Sequence, residues 1–334
     1  MTATSNAPLF LGIDVGGTNV KMGLVSDSGK VLGATSFPTN SERGPAYAIQ
    51  ESRKSFDQLL GQNNLTSDRV VGAGLGTPGP MDLGRGMILE PVNLPAWKNF
   101  PIRDQLSDAL NLPVTFTNDA NAAAFGEYWL GSARELTSLV YFTLGTGVGG
   151  GIIVEDNCIE GVHSLGAELG HVCVDWSPSA RRCGCGKTGH LEAYASATAV
   201  VARMQERLRA IPTSSLHSDS LTAKKISDAA ENGDKLAQDI IEETAVYLAR
   251  GIAVVAHTID PEAILLGGAM TFGGQTSTIG RRFLQTIKTH VDNLVFPEIT
   301  QNLKIDYAVL GSDAGFIGAA GLARLHYHRF HPRA

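Results

Sequence analysis

Asp14 ends an apolar run and is followed by Val15-Gly16-Gly17-Thr18-Asn19; further on, Leu144-Gly145-Thr146-Gly147-Val148-Gly149-Gly150 repeats glycine and threonine between apolar stretches. Phe10–Val25 and Leu139–Val154 therefore each read as strand, turn, strand. Glycine lets backbone amides approach an oxyanion closely, and a threonine hydroxyl can add a hydrogen bond. Two such hairpins in one chain point to a duplicated phosphate cradle for a nucleotide. Two commoner phosphate motifs are excluded. Gly145, Gly147 and Gly150 satisfy G-x-G-x-x-G, but that fingerprint needs a helix straight after the turn, and Gly151–Val154 reads as a strand. Gly186-Lys187-Thr188 resembles the end of a P-loop, yet the first glycine of that motif would fall on Arg181.

Cys183-Gly184-Cys185 carries a different chemistry. Four cysteines in 334 residues make no disulfide framework, and in a reducing compartment a close pair suggests a metal first. The chain is 43% hydrophobic and 18% charged, as in an ordinary soluble α/β protein, and is long enough for two domains. Its net charge is −6, with no basic cluster beyond Arg181-Arg182, so neither nucleic acid nor an anionic membrane is an expected partner. No run approaches the roughly 20 apolar residues of a membrane span, and Met1–Pro8 lacks the pattern of a targeting segment. A cytoplasmic protein is expected.

The elements that must position these residues follow in order. Residues 9–37 read as three consecutive strands, then come a helix over 45–60 and a strand Arg69–Leu75 ending in Gly76-Thr77-Pro78-Gly79-Pro80. A short helix near 102–110 leads to the strand Pro113–Thr117 and an Ala-rich helix Asn118–Trp129, with Asn118-Asp119 as its N-cap. The three-strand pattern begins again at Leu139. Helices are expected over 190–209, 222–231 and 234–258, the last with Leu236, Ile240, Ile241, Leu248, Ile252 and Val255 on one face. The segment 211–221 reads as a surface loop. A strand Ala263–Leu266 runs into Gly267-Gly268, followed by a helix near 278–292, a strand at 304–309 and an Ala/Gly helix after Asp313. Alternating strands and helices imply sheets covered by helices on both faces.

Five runs together resemble the ROK family of repressors, open reading frames and sugar kinases: Asp14–Asn19, Asn118–Glu127, Leu144–Gly150, Gly166-Ala167-Glu168-Leu169-Gly170-His171, and Cys183-Gly184-Cys185 with Gly189-His190-Leu191-Glu192. The resemblance runs in order from residue 9 to about 320. It implies an α/β, two-lobed actin-like ATPase fold (ribonuclease H-like), each lobe a mixed sheet flanked by helices. The N-terminal lobe would span 1–130, completed by a C-terminal helix of about 313–334, and the C-terminal lobe 131–312. A hexose would bind between the lobes with ATP beside it.

The resemblance also assigns roles. Asp119 becomes the base that accepts the proton of the attacking hydroxyl. Asn118, Glu168, His171 and Glu192 become sugar ligands, with Gly79 and Asn93 as further candidates, since each buried hydroxyl needs a partner. ATP and Mg²⁺ would be held by Asp14, Gly16, Gly17, Thr18, Asn19, Lys21, Gly145, Thr146 and Gly147, with Gly267-Gly268 on the adenosine side. Structural Zn²⁺ would be bound by His171, Cys183, Cys185 and His190. The family's fourth ligand is Cys, and histidine serves zinc equally well. Cys158 and Cys173 read as buried small hydrophobes.

The expected reaction is transfer of the γ-phosphoryl of ATP to the 6-hydroxyl of glucose. The runner-up is a kinase for N-acetylmannosamine, N-acetylglucosamine or fructose. A sugar-sensing repressor would carry a DNA-binding segment ahead of the first turn and is disfavoured. A filament or chaperone ATPase would lack the sugar acids and the cysteine loop. A homo-oligomer, dimer or tetramer, is expected from the family.

Overall fold

The computed structural model describes residues 7–331 apart from 92, 211–213, 218 and 219. The expected readings of Met1–Pro8 and of 211–221 therefore lie partly outside the described residues. The chain divides into two compact units. One comprises Met1–Glu135, Asn157–Gly166 and Leu310–Ala334, the other Leu136–Asp156 and Ala167–Val309.

The first unit opens with β1 (Leu9–Val15), β2 (Asn19–Ser26) and β3 (Val31–Pro38), an antiparallel meander in which Asp14 pairs with Lys21. After α1 (Pro45–Gln62), β4 (Val70–Thr77) joins β1 in parallel. A small pair, β5 (Met81–Asp82) and β6 (Met87–Ile88), precedes α2 (Ile102–Leu110), β7 (Val114–Asn118) and α3 (Asp119–Trp129). The sheet order is β3-β2-β1-β4-β7. β1 is apolar without alternation because both faces are covered. Leu9, Leu11 and Ile13 pack with Phe56, Leu59 and Leu106, whereas Phe10 packs with Phe316, Ile317 and Ala320 of the C-terminal helix.

The second unit repeats the opening hairpin as β8 (Ser138–Leu144) and β9 (Val148–Val154). The expected third strand amounts to two residues, β10 (Asn157–Cys158), which belong to the first unit. Next come α4 (Glu192–Ala195), α5 (Ala197–Ala210), α6 (Ala223–Glu231) and α7 (Lys235–Ile259). β11 (Ala263–Gly267), α8 (Thr278–Leu294), α9 (Pro297–Thr300) and β12 (Lys304–Tyr307) complete the unit. β11 lies parallel to both β8 and β12. The core combines Phe142 and Leu144 with Tyr194, Met204, Ile240, Leu248, Ile252, Leu266 and Phe283.

One helix differs from expectation. The stretch over 190–209 is broken at Ser196, which is extended (φ −87°, ψ 161°). Its hydroxyl accepts the Ala199 amide at 3.1 Å, so Ser196 caps a new helix instead of continuing the old one. The strand expected at 304–309 stops at Tyr307. The chain finally returns to the first unit as α10 (Ala314–Phe330). Its small residues reflect contact: a Cβ at Gly318 would lie 1.6 Å from the Ala122 carbonyl oxygen of α3. No helix among the described residues is long and apolar enough to cross a membrane.

Candidate active site

In the first unit three parallel strands end side by side. Asp14 pairs with Gly76, Gly76 with Thr117, and Thr77 with Asn118. The register brings the Asp14 strand end and the start of α3 to one edge of the sheet. Gly76 permits the approach, since a Cβ there would sit 3.1 Å from Ala122 Cβ and 3.5 Å from Asp119 Cα. The Asn118 side chain accepts the Ala120 amide at 2.9 Å, the expected N-cap, and Asp119 Oδ1 accepts the same amide at 2.8 Å. Gly79 faces this junction, 3.6 Å separating its hypothetical Cβ from Asn118 Nδ2.

Asp14 is half-buried at the N-terminus of α10, where a Cβ on Gly315 would come within 2.2 Å of its Oδ2. Desolvation first, then the Asp119 carboxylate, push its pKa up to about 7, and Lys21 works against them. A carboxylate whose ionisation is disfavoured by burial and by a second carboxylate is a natural partner for a cation. The turn beyond Asp14 closes with the Gly16 amide on Asn19 O at 2.9 Å, leaving Gly17, Thr18 and Asn19 exposed. Asn93 lies beside it, 3.6 Å from where a Gly17 Cβ would be. Lys21 is otherwise engaged: its Nζ donates to Ser312 O at 2.9 Å and pairs with Asp313 at 3.5 Å.

Two residues escaped the sequence reading. Buried Thr39 donates its hydroxyl to Gly16 O at 2.7 Å and its amide to Thr18 O at 2.8 Å, bracing the first turn from beyond β3. Glu160 receives the Thr117 hydroxyl at 3.2 Å, one residue before Asn118, and desolvation raises its carboxyl above the ordinary range. No local sequence signal marks either residue, because each partner is distant along the chain.

In the second unit the turn Gly145-Thr146-Gly147 closes with the Gly145 amide on Gly147 O at 3.0 Å. Ala197 N donates to Gly145 O at 2.8 Å, and the Thr198 hydroxyl to Thr146 O at 2.9 Å. Gly267-Gly268 abuts the same hairpin. Gly268 adopts φ +88°, and a Cβ there would meet Leu144 O at 2.3 Å. Glu168 is exposed just before the single turn Leu169–His171. Gly170 lets that turn lie on β9, since a Cβ would be 2.1 Å from Val148 O.

His171, Cys183, Cys185 and His190 converge, their ligand atoms all within 4.8 Å of one another. Cys183 Sγ is 3.8 Å from His171 Nδ1 and Cys185 Sγ is 3.2 Å from His190 Nδ1, so both imidazoles turn Nδ1 toward the sulfurs. Zinc bond lengths give tetrahedral edges of roughly 3.3–3.8 Å, the scale of these contacts. The donor set fits a zinc ion. Cys158 and Cys173 are half-buried, and Cys173 donates to Asp175 O at 3.5 Å. Glu192 accepts the Val148 amide at 3.0 Å and the Cys183 thiol at 3.6 Å.

The profile of the ROK family matches residues 10–325. The chain is 35% identical over 320 residues to a glucokinase of Halalkalibacterium halodurans, covering 94% of both proteins. Among solved structures it resembles a ROK hexokinase from Thermus thermophilus, with a TM-score of 0.81 at 30% identity over 96% of this chain and 99% of that one. It also resembles a ROK glucokinase from Streptomyces griseus in complex with glucose and AMPPNP, with a TM-score of 0.74 at 31% identity over 95% and 99%.

Proposed function

The chain belongs to the ROK family and has the actin-like ATPase fold, and from that premise we propose that it is a glucokinase, transferring the γ-phosphoryl of ATP to the 6-hydroxyl of D-glucose. The observation that carries this reading is the strand-end arrangement of Asp14 and Asp119 beside a glycine-threonine turn, in a chain similar throughout to glucokinases.

Asp119 accepts the proton of the attacking hydroxyl, held at the start of α3 by the amide of Ala120. Asn118, Gly79, Asn93, Glu168, His171 and Glu192 supply sugar contacts. The amides of Gly16, Gly17, Gly145 and Gly147, with the hydroxyls of Thr18 and Thr146, receive phosphate oxygens, and Asn19 and Lys21 flank the first turn. Gly267-Gly268 takes the adenosine side. Asp14 would hold Mg²⁺, which when bound neutralises charge on the transferring phosphates. His171, Cys183, Cys185 and His190 would hold a structural Zn²⁺, which orders the loop before Glu192. The same reading makes the protein cytoplasmic, consistent with cysteines that form no disulfide, and a homo-oligomer as in the family resemblance.

The test is ADP release with ATP against a panel of hexoses and N-acetylhexosamines. Glucose should lead by about tenfold or more, because a missing hydroxyl strands a polar partner at about 1–3 kcal/mol. A higher kcat/KM for N-acetylmannosamine or fructose would assign a different substrate.

A further inference from the structure

Glu192 begins α4, two residues after His190 of the metal cluster. Its two oxygens do different things. Oε2 accepts the Val148 amide, the first beyond the second phosphate turn, and a Cβ at Gly147 would sit 2.4 Å from that oxygen. Oε1 receives the Cys183 thiol. Metal ligation removes the Cys183 thiol proton, so in the loaded state the cluster is linked to the turn through the short chain from His190 to Glu192.

We propose that Glu192 is a positioning residue for the second phosphate turn, so that filling the Cys/His cluster tightens nucleotide binding through its contact with Val148. This rests on the kinase reading of that turn. Metal ligation by Cys183, Cys185 and His190 orders the loop immediately before Glu192. The carboxylate is then presented to Val148 in advance, and the Gly145–Gly147 amides need no ordering when phosphate arrives. A sugar ligand alone would need no contact with the turn.

The experiment is calorimetric titration of a non-hydrolysable ATP analogue, and separately of glucose, into zinc-loaded and chelator-stripped protein. For the native chain, stripping zinc should weaken the nucleotide about tenfold, within the usual range of coupling between sites. Glu192→Ala should bind nucleotide about tenfold more weakly even when loaded, and stripping should weaken it no further. Glu192→Gln keeps an amide oxygen for Val148, so it should restore nucleotide binding to near native while glucose binding stays impaired. The inference fails if zinc-loaded Glu192→Ala loses glucose affinity and keeps native nucleotide affinity. It also fails if stripping weakens nucleotide equally in the native chain and Glu192→Ala. A native, zinc-loaded chain that binds no nucleotide overturns the kinase reading itself, and this inference with it.

Discussion

The first hairpin carries its carboxylate within its own strand, whereas the second borrows one from the start of α4, more than forty residues away. Asp14 sits at the end of β1, where desolvation first and the Asp119 carboxylate second raise its pKa. Glu192 comes to β9 from the cysteine loop and is committed to the Val148 amide. The braces differ as well. Buried Thr39 holds the first turn through a hydroxyl and an amide, while the second is held by Ala197 and Thr198 at the start of α5. The same strand-turn-strand backbone can therefore serve two purposes. A carboxylate with a raised pKa ends the strand in one copy, and a carboxylate that accepts the amide after the turn lies against the other.

Asp119→Asn gives the largest expected effect, since it removes the proton acceptor on the Asp14 side and keeps the Ala120 contact. Turnover should drop by about 10² to 10⁴ with glucose affinity largely kept. Steady-state kinetics within about threefold of the native chain would move the chemistry away from the first unit.

Gly315→Ala sharpens the contrast without replacing a charged group. The new Cβ would press on the Asp14 carboxylate from 2.2 Å, and overpacking of this kind costs about 1–3 kcal/mol. Thermal melts should show the loss, and Mg²⁺ titration of activity should shift to higher concentration. An unchanged Mg²⁺ requirement in a variant with a lowered melting temperature would separate Asp14 from the cation.

Asp14 also sets a pH dependence. Its pKa rises from 3.8 to about 7 on folding, so between those values the folded state holds a proton that the unfolded chain has released. Stability contributed by this proton is full below the unfolded value and lost as pH climbs toward 7. In Mg²⁺-free buffer, Asp14→Asn should therefore raise the melting temperature at about pH 8 and leave it unchanged near pH 4. A gain of the same size at both pH values would place its origin elsewhere than in ionisation.

The smallest effect belongs to the second unit. His190→Cys keeps a zinc-competent donor set, so elemental analysis should still find near-stoichiometric zinc and turnover should be unaltered. His190→Ala removes a ligand and should lower zinc content and glucose affinity together. Full zinc content in His190→Ala would remove His190 from the ligand set.

Much of this was legible along the chain because it depends on near neighbours. Both hairpins, the Asn118 cap and the close thiols of Cys183 and Cys185 are local patterns of hydrogen bonding and spacing. Helix boundaries were less so: Ser196 ends one helix and starts another, a choice the apolar periodicity does not register.

The sequence by itself determined the two turns, the order of elements and the donor types of the Cys/His cluster. Only tertiary structure decided who their partners are. Thr39 reaches Gly16 across β2 and β3, Lys21 is drawn to Ser312 and Asp313 from the far end of the chain, and Glu192 selects Val148 rather than open solvent. Dihedral preference and capping act over a few residues and so leave a mark in local sequence. A hydrogen bond between distant segments depends instead on which helix covers which sheet face, and that is set by burial of the whole core.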